Sequence, residues 1–214
     1  SFDIKPQDKI ALLGENGVGK STLLKIICGL DKDFSGKLKI SPSVKIGYFA
    51  QELDNLNNEA TILDDVLVEG NTVEETRLLL ASLLFRGDDV FKKIGNLSMG
   101  EKGRVAFAKL ILSGAHLLVL DEATNYMDIV SKEKMEEALE EFEGSIIFVS
   151  HDRYFIKRLA NRIFTIEDRK LYCFEGDYEY YLAKNKYQKA QKEIGADFRL
   201  ISDNIKRLEL ELAF

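Results

Sequence analysis

The sequence predicts an α/β fold with a mainly parallel core sheet, and three observations carry that prediction. First, Gly14-Glu15-Asn16-Gly17-Val18-Gly19-Lys20-Ser21-Thr22 fits the phosphate-loop pattern G-x-x-x-x-G-K-[ST] with no forced position. Second, the apolar runs Leu117 to Leu120 and Ile146 to Val149 deliver Asp121-Glu122 and Ser150-His151-Asp152 at their ends. Third, helical stretches separate these runs, as strands lying parallel in one sheet require.

Taken in order, residues 1–13 read as two short strands around Pro6-Gln7-Asp8, the second being Lys9 to Leu13. The run Ser21 to Leu30 reads as a helix with Leu23, Leu24, Ile27 and Leu30 toward a core. Its N-terminus favours an anion through the aligned peptide dipoles. After a turn-rich break, Lys37 to Ile40 alternates and Val44 to Ala50 reads as a strand ending at Gln51. A glutamine there is placed to orient water or to complete a Mg²⁺ shell, although a surface glutamine is the default. Between Lys45 and Arg77 stand eight acidic residues and no Lys or Arg, a solvated face unsuited to phosphate backbones. Thr61 to Val68 and Val73 to Leu84 read as helices, the second with Leu78, Leu79, Leu80, Leu83 and Leu84 on one apolar side. This helical section, about residues 52–113, interrupts the strand–helix alternation and is expected to form a separate lobe.

Leu97-Ser98-Met99-Gly100-Glu101 opens the next helix, and Ser98 with Glu101 makes a capping box. Asp121, at the end of an apolar strand, is placed to hold Mg²⁺, and Glu122 to take a proton from attacking water. A helix follows Asn125 to Asp128, burying Met135, Ala138, Leu139 and Phe142. His151 lies at a C-terminal strand end, where open α/β sheets bind ligands. His116 precedes a strand and reads as structural.

Composition sets the bounds. At 214 residues the chain suffices for one well-buried domain plus an appendage. No apolar run approaches the roughly 20 residues that span a bilayer, so no membrane insertion is expected. No signal peptide is visible, and a cytoplasmic location is expected. Cys28 and Cys173 are far apart and read as buried thiols rather than a disulfide or metal cluster. A net charge of −6 argues against a surface that grips nucleic acid, and no DNA partner is expected. The chain begins Ser1-Phe2 without Met and is read as a piece of a longer protein.

The ordered set of phosphate loop, Gln51, Leu97-Ser98-x-Gly100-Glu101, Leu-Val-Leu-Asp121-Glu122, Asn125 to Asp128 and His151 resembles the ATP-binding cassette (ABC) ATPases over residues 1 to about 170. Three segments resemble the ABC-F subfamily: Ala123-Thr124-Asn125-Tyr126-Met127-Asp128, Ser150-His151-Asp152-Arg153-Tyr154-Phe155 and Glu175-Gly176-Asp177-Tyr178-x-x-Tyr181. The sequence departs from the family at Met99 (usually Gly), Ala123 (usually Pro), and Tyr126 and Met127 (usually His-Leu).

The resemblance implies ATP and Mg²⁺ as ligands. It places Gly14, Asn16, Gly17, Gly19, Lys20, Ser21 and Thr22 around the phosphates, and Ser21, Gln51 and Asp121 at Mg²⁺. Glu122 becomes the base, His151 the γ-phosphate contact and Gln51 a partner of metal or water. It further implies a head-to-tail partner cassette, from the same parent chain or a second copy, whose nucleotide would meet Ser98, Gly100 and Glu101. ABC-F proteins carry two cassettes and many act on the ribosome; a transporter ATPase subunit is the alternative. The family's adenine-stacking aromatic lies upstream of residue 1, Phe2 reads as a core strand residue, and the isolated cassette is expected to be a weak ATPase. Residues 1–177 read as the cassette, the second of its parent. Residues 178–214 read as a helical linker or C-terminal extension, with a coiled-coil seam of Tyr187, Ile194, Ile201 and Leu208 every seven residues.

Overall fold

Ile10, Ala11 and Leu12 form an unbroken apolar run, and all three are fully buried in strand β1 (Lys9–Gly14). Such a run suits a strand covered on both faces. The computed structural model describes residues 2–125 and 127–185. β1 lies between β4 (Ser145–Val149) and β5 (Arg162–Glu167). β3 (Leu117–Asp121) and β2 (Ile46–Tyr48) continue the sheet beyond β4, and β6 (Lys170–Glu175) closes the other side. The order is β2-β3-β4-β1-β5-β6. Every pairing is parallel except β5 with β6, which is the antiparallel part of the sheet among the described residues.

Side-chain alternation divides the core in two. Ile10, Leu12, Val119, Ile147 and Phe164 face α1 (Lys20–Ile27), which contributes Leu24 and Ile27. Ala11, Leu118, Leu120, Ile146 and Phe148 face the other layer. There the sheet meets α2 (Phe49–Asp54), α3 (Ile62–Val66), α4 (Val73–Ser82) and α5 (Met99–Leu112), together with α6 (Ile129–Glu141) and α7 (Arg153–Leu159). Leu80, Leu83, Phe107, Met135 and Leu139 are fully buried in this second layer. The section between β2 and β3 therefore shares one continuous apolar cluster with a face of the sheet.

Away from the site, Arg162 opens β5 almost completely buried. It pairs with Asp8, donates to the Asp3 carbonyl at 3.1 Å and meets Glu175 at 2.5 Å. The N-terminal segment, β5 and β6 are thereby joined at the sheet's lower end.

Several expectations are corrected. Residues 1–13 contain one strand, not two; residues 2–8 form no ladder, and Phe2 instead packs edge-on against Phe164 at 5.3 Å. Lys37 to Ile40 forms no strand, and Leu38 and Ile40 stay 40% and 42% exposed. An alternating pattern becomes a strand only where a neighbour accepts its backbone hydrogen bonds. The strand expected over 44–50 spans only Ile46–Tyr48, because Phe49 already begins α2. The phosphate-loop helix ends at Ile27, which leaves Leu30 exposed. Leu78 is also exposed, since two residues of helix turn it about 200° from buried Leu80. Cys173 is exposed on edge strand β6 rather than buried. Cys28 is half-buried, and burial pushes its thiol up to about 12.

Residues 178–185 are helical. Tyr178 and Tyr181 are buried, with Tyr181 edge-on to Phe174 at 5.1 Å. The expected coiled-coil seam lies outside the described residues.

Candidate nucleotide site

Parallel strands place all their C-terminal ends on one edge, and that edge gathers the chemistry. The phosphate loop leaves β1 at Gly14, whose φ of 150° suits glycine; a Cβ there would stand 2.9 Å from the Ile166 carbonyl oxygen and from Val18. Gly19 caps α1 in the left-handed region at φ 108°, and no side chain bonds the helix's first N–H groups. Those free N–H groups, with a dipole and no acidic residue in the first turn, make a cradle for an anion. Lys20 is buried and folds back on the loop, donating to the carbonyls of Gly14 at 2.9 Å and Glu15 at 3.0 Å. Asn16, Gly17, Ser21 and Thr22 lie along the same loop and helix start, and Ser21 and Thr22 are exposed. Open donors, an adjacent ammonium and a helix start without an acid fit a nucleotide's phosphates.

Beside the loop, β4 stands between β1 and β3, so Asp121 and His151 reach the same edge. Asp121 ends β3 half-exposed. Together with the Ser21 hydroxyl and the Gln51 amide it would offer hard oxygen donors, the set that suits Mg²⁺. Gln51 lies exposed within α2, one helical turn from the end of β2, rather than at a strand end.

Glu122 follows with φ 51°, left-handed for a non-glycine residue. Its N–H donates to the Val149 carbonyl at 3.1 Å, and its carbonyl accepts from Asn125 N–H, also at 3.1 Å. That backbone conformation projects the carboxylate toward His151, with Nε2 lying 3.3 Å from Oε1. The sequence reading gave no separate role to Asn125, whose amide donates to Glu122 Oε2 at 2.5 Å. It also missed the ion pair between Lys132 on α6 and Asp152. Asp152 accepts the N–H groups of Tyr154 and Phe155 and so fixes the turn that carries His151. The lysine ammonium holds the Asp152 carboxyl below the usual carboxylate range. The available signal was spacing: Asn125 stands three residues after Glu122, the reach of a turn.

Ser98, Gly100 and Glu101 are elsewhere. They open α5, which packs on α2, α3, α4 and α6 rather than beside the phosphate loop. Its cap is closed: Glu101 N–H donates to Ser98 Oγ at 3.3 Å, while Ser98 N–H and Oγ–H each reach Glu101 Oε2 at 2.8 Å. The Ser98 backbone N–H is the first cause holding the Glu101 carboxyl below its usual range. Met99 beside them is exposed. Further along α5, Gly103 leaves room for Met127; a Cβ there would come within 2.9 Å of the Met127 methyl. The segment after Glu122 is thus seated on the Ser98 helix.

A strand–loop–helix anion cradle with acids and a histidine on neighbouring strand ends defines a phosphate-loop nucleotide-binding protein. The family model described as ABC transporter matches residues 1–125, and the chain belongs to that family, whose members are ATPases. Curated relatives are of the F type. Arabidopsis thaliana "ABC transporter F family member 5" is 44% identical over 189 residues, covering 86% of this chain and 27% of that protein. Escherichia coli "Energy-dependent translational throttle protein EttA" is 36% identical over 204 residues, covering 92% of this chain and 36% of that protein. The chain therefore spans about a third of the length of such relatives. Among solved structures, the dimeric ATP-binding cassette MJ0796 bound to ADP and Pi is similar in fold, with TM-score 0.64 and 24% identity over 81% of this chain and 88% of that one.

Proposed function

We propose that this chain is one ATP-binding and hydrolysing cassette of an ABC-F protein, working by head-to-tail closure on a second cassette to act on the ribosome. One observation carries the reading. Phosphate cradle, Asp121, Glu122 and His151 share one edge, while the self-capped start of α5 is presented from another layer. A cassette so divided holds a nucleotide with one surface and offers Ser98, Gly100 and Glu101 to a nucleotide held by its partner.

Within the cassette, Lys20 and the loop N–H groups bind the phosphates. Ser21, Asp121 and Gln51 would hold Mg²⁺, which supplies charge neutralisation on the phosphate oxygens. Glu122 takes the proton of the attacking water, and His151 donates toward the terminal phosphate. We assign the cassette to residues 1–177, including the helical section at 52–113, and a linker or C-terminal extension to 178–214, of which 186–214 lie outside the described residues. Tyr181 packs edge-on against Phe174 and Tyr178 stacks on Tyr181, so the first turn of the extension is seated on the cassette.

Likeness to a relative named as a translational throttle supports the ribosome reading and a cytoplasmic location. Among the described residues no helix is long and apolar enough to cross a membrane. The test is co-sedimentation of the complete protein carrying E122Q with ribosomes, with and without Mg-ATP. ATP-dependent pelleting is expected. Absence of pelleting while ATP binding is intact would overturn the ribosome role and move the reading to a transporter subunit.

A further inference from the structure

The Glu122 carboxylate has a polar neighbour at each oxygen. His151 Nε2 faces Oε1 at 3.3 Å, and the Asn125 amide donates to Oε2 at 2.5 Å. The two neighbours differ in kind. A histidine's hydrogen-bonding state changes with protonation and tautomer, whereas a primary amide donates at every pH at which the protein is folded. Glu122 also sits at φ 51° and leaves the sheet through a turn, so nothing in a regular ladder fixes its side chain. The two flanking arms are tied together: Lys132, one turn into the helix that follows Asn125, pairs with Asp152 next to His151. Asp128 caps that same helix by accepting the Ser131 N–H at 3.0 Å.

We propose that Asn125 is a positioning residue for Glu122: its amide fixes one carboxylate oxygen, leaving free lone pairs turned toward water at the open edge. The proposal rests on the assignment of Glu122 as the base. A carboxylate has about four acceptor sites, so the Asn125 amide and the nearby imidazole still leave room for a water on it. Without Asn125 the carboxylate is free to rotate, and the reacting geometry is populated less of the time.

The competing role for Asn125 is as a turn former, since asparagine favours turns by bonding its side chain to nearby backbone and by tolerating left-handed angles. An aspartate in its place would serve a turn equally well, with nearly the same shape, but it has no side-chain N–H to donate and sets a carboxylate against Glu122. The experiment is steady-state ATPase kinetics and nucleotide binding on the complete protein carrying N125D, N125A and, as a reference, E122Q. N125A is expected to lower kcat on the order of tenfold, and N125D further, with KM for ATP and ADP affinity within about twofold of the parent. Wild-type kcat in N125D, with E122Q inactive, overturns the positioning role and leaves asparagine as a turn former. Loss of ADP binding in both Asn125 variants also overturns it, because a fold effect then accounts for the result. E122Q turning over at the parental rate overturns the base assignment beneath it.

Discussion

Two helices begin at functional loops in this molecule, and they begin in opposite ways. α1 starts at Gly19 with no side-chain cap and no acid in its first turn, so its N–H groups face outward uncommitted. α5 starts at Ser98 with a complete capping box, so the N–H groups of Ser98 and Glu101 are already bonded and Glu101 adds a negative charge. The first end is ready for an anion; the second has two of its donors committed to its own cap and a carboxylate beside them. On the proposed reading, a two-sided nucleotide site would join one half that waits open to one half that waits closed.

The comparison is sharpened first by E122Q, which removes the proposed base from the open half. Turnover is expected to fall by about 10²–10⁴-fold while ATP binding persists, as measured by phosphate release and by equilibrium binding. K20A comes next. Among the described residues Lys20 bonds only loop carbonyls, so its removal is expected to weaken ATP affinity by roughly 10- to 100-fold and to leave thermal stability nearly unchanged. A large drop in Tm would make this lysine a structural strut and break the contrast. S98A should do the reverse, costing about 1 kcal/mol of stability in thermal or urea unfolding without changing the chain's own nucleotide affinity.

The smallest expected effect is in acid. Because the Ser98 N–H holds the Glu101 carboxyl below its usual value of 4.5, the box stabilises the fold above that value and loses its contribution as pH falls through the lower folded value. Stability-against-pH curves for E101Q should therefore flatten below about pH 4.5 relative to the parent. Identical slopes would mean that the box is absent in solution.

The sequence made the open half easy to read and the closed half only partly so. A phosphate loop is local: its glycines, Lys20 and the flanking apolar runs stand within one stretch of chain. Asp121, Glu122 and His151 were legible because apolar runs end where they begin, and a parallel sheet brings such ends together. The alternation at 37–40 misled, since it says nothing about whether a neighbouring strand exists. Gln51 was misplaced because three residues of strand give way to helix at Phe49. The Asn125–Glu122 contact depends on a left-handed backbone angle at Glu122, which a sequence pattern does not encode.

The place of β1 in the sheet has a consequence for the order in which the molecule assembles. The strand that carries the phosphate loop leaves the synthesis machinery well before its neighbours, β4 and β5: Lys9 waits for Ile146, and Ala11 for Ile163. Until those residues have emerged, Ile10, Ala11 and Leu12 have no ladder to join and stay exposed to mispairing. The loop they anchor is thus the earliest part of the site to be made and among the last to take shape, since such distant pairings form slowly. A truncated or stalled chain ending before β4 would hold the whole motif and lack the strands that set it.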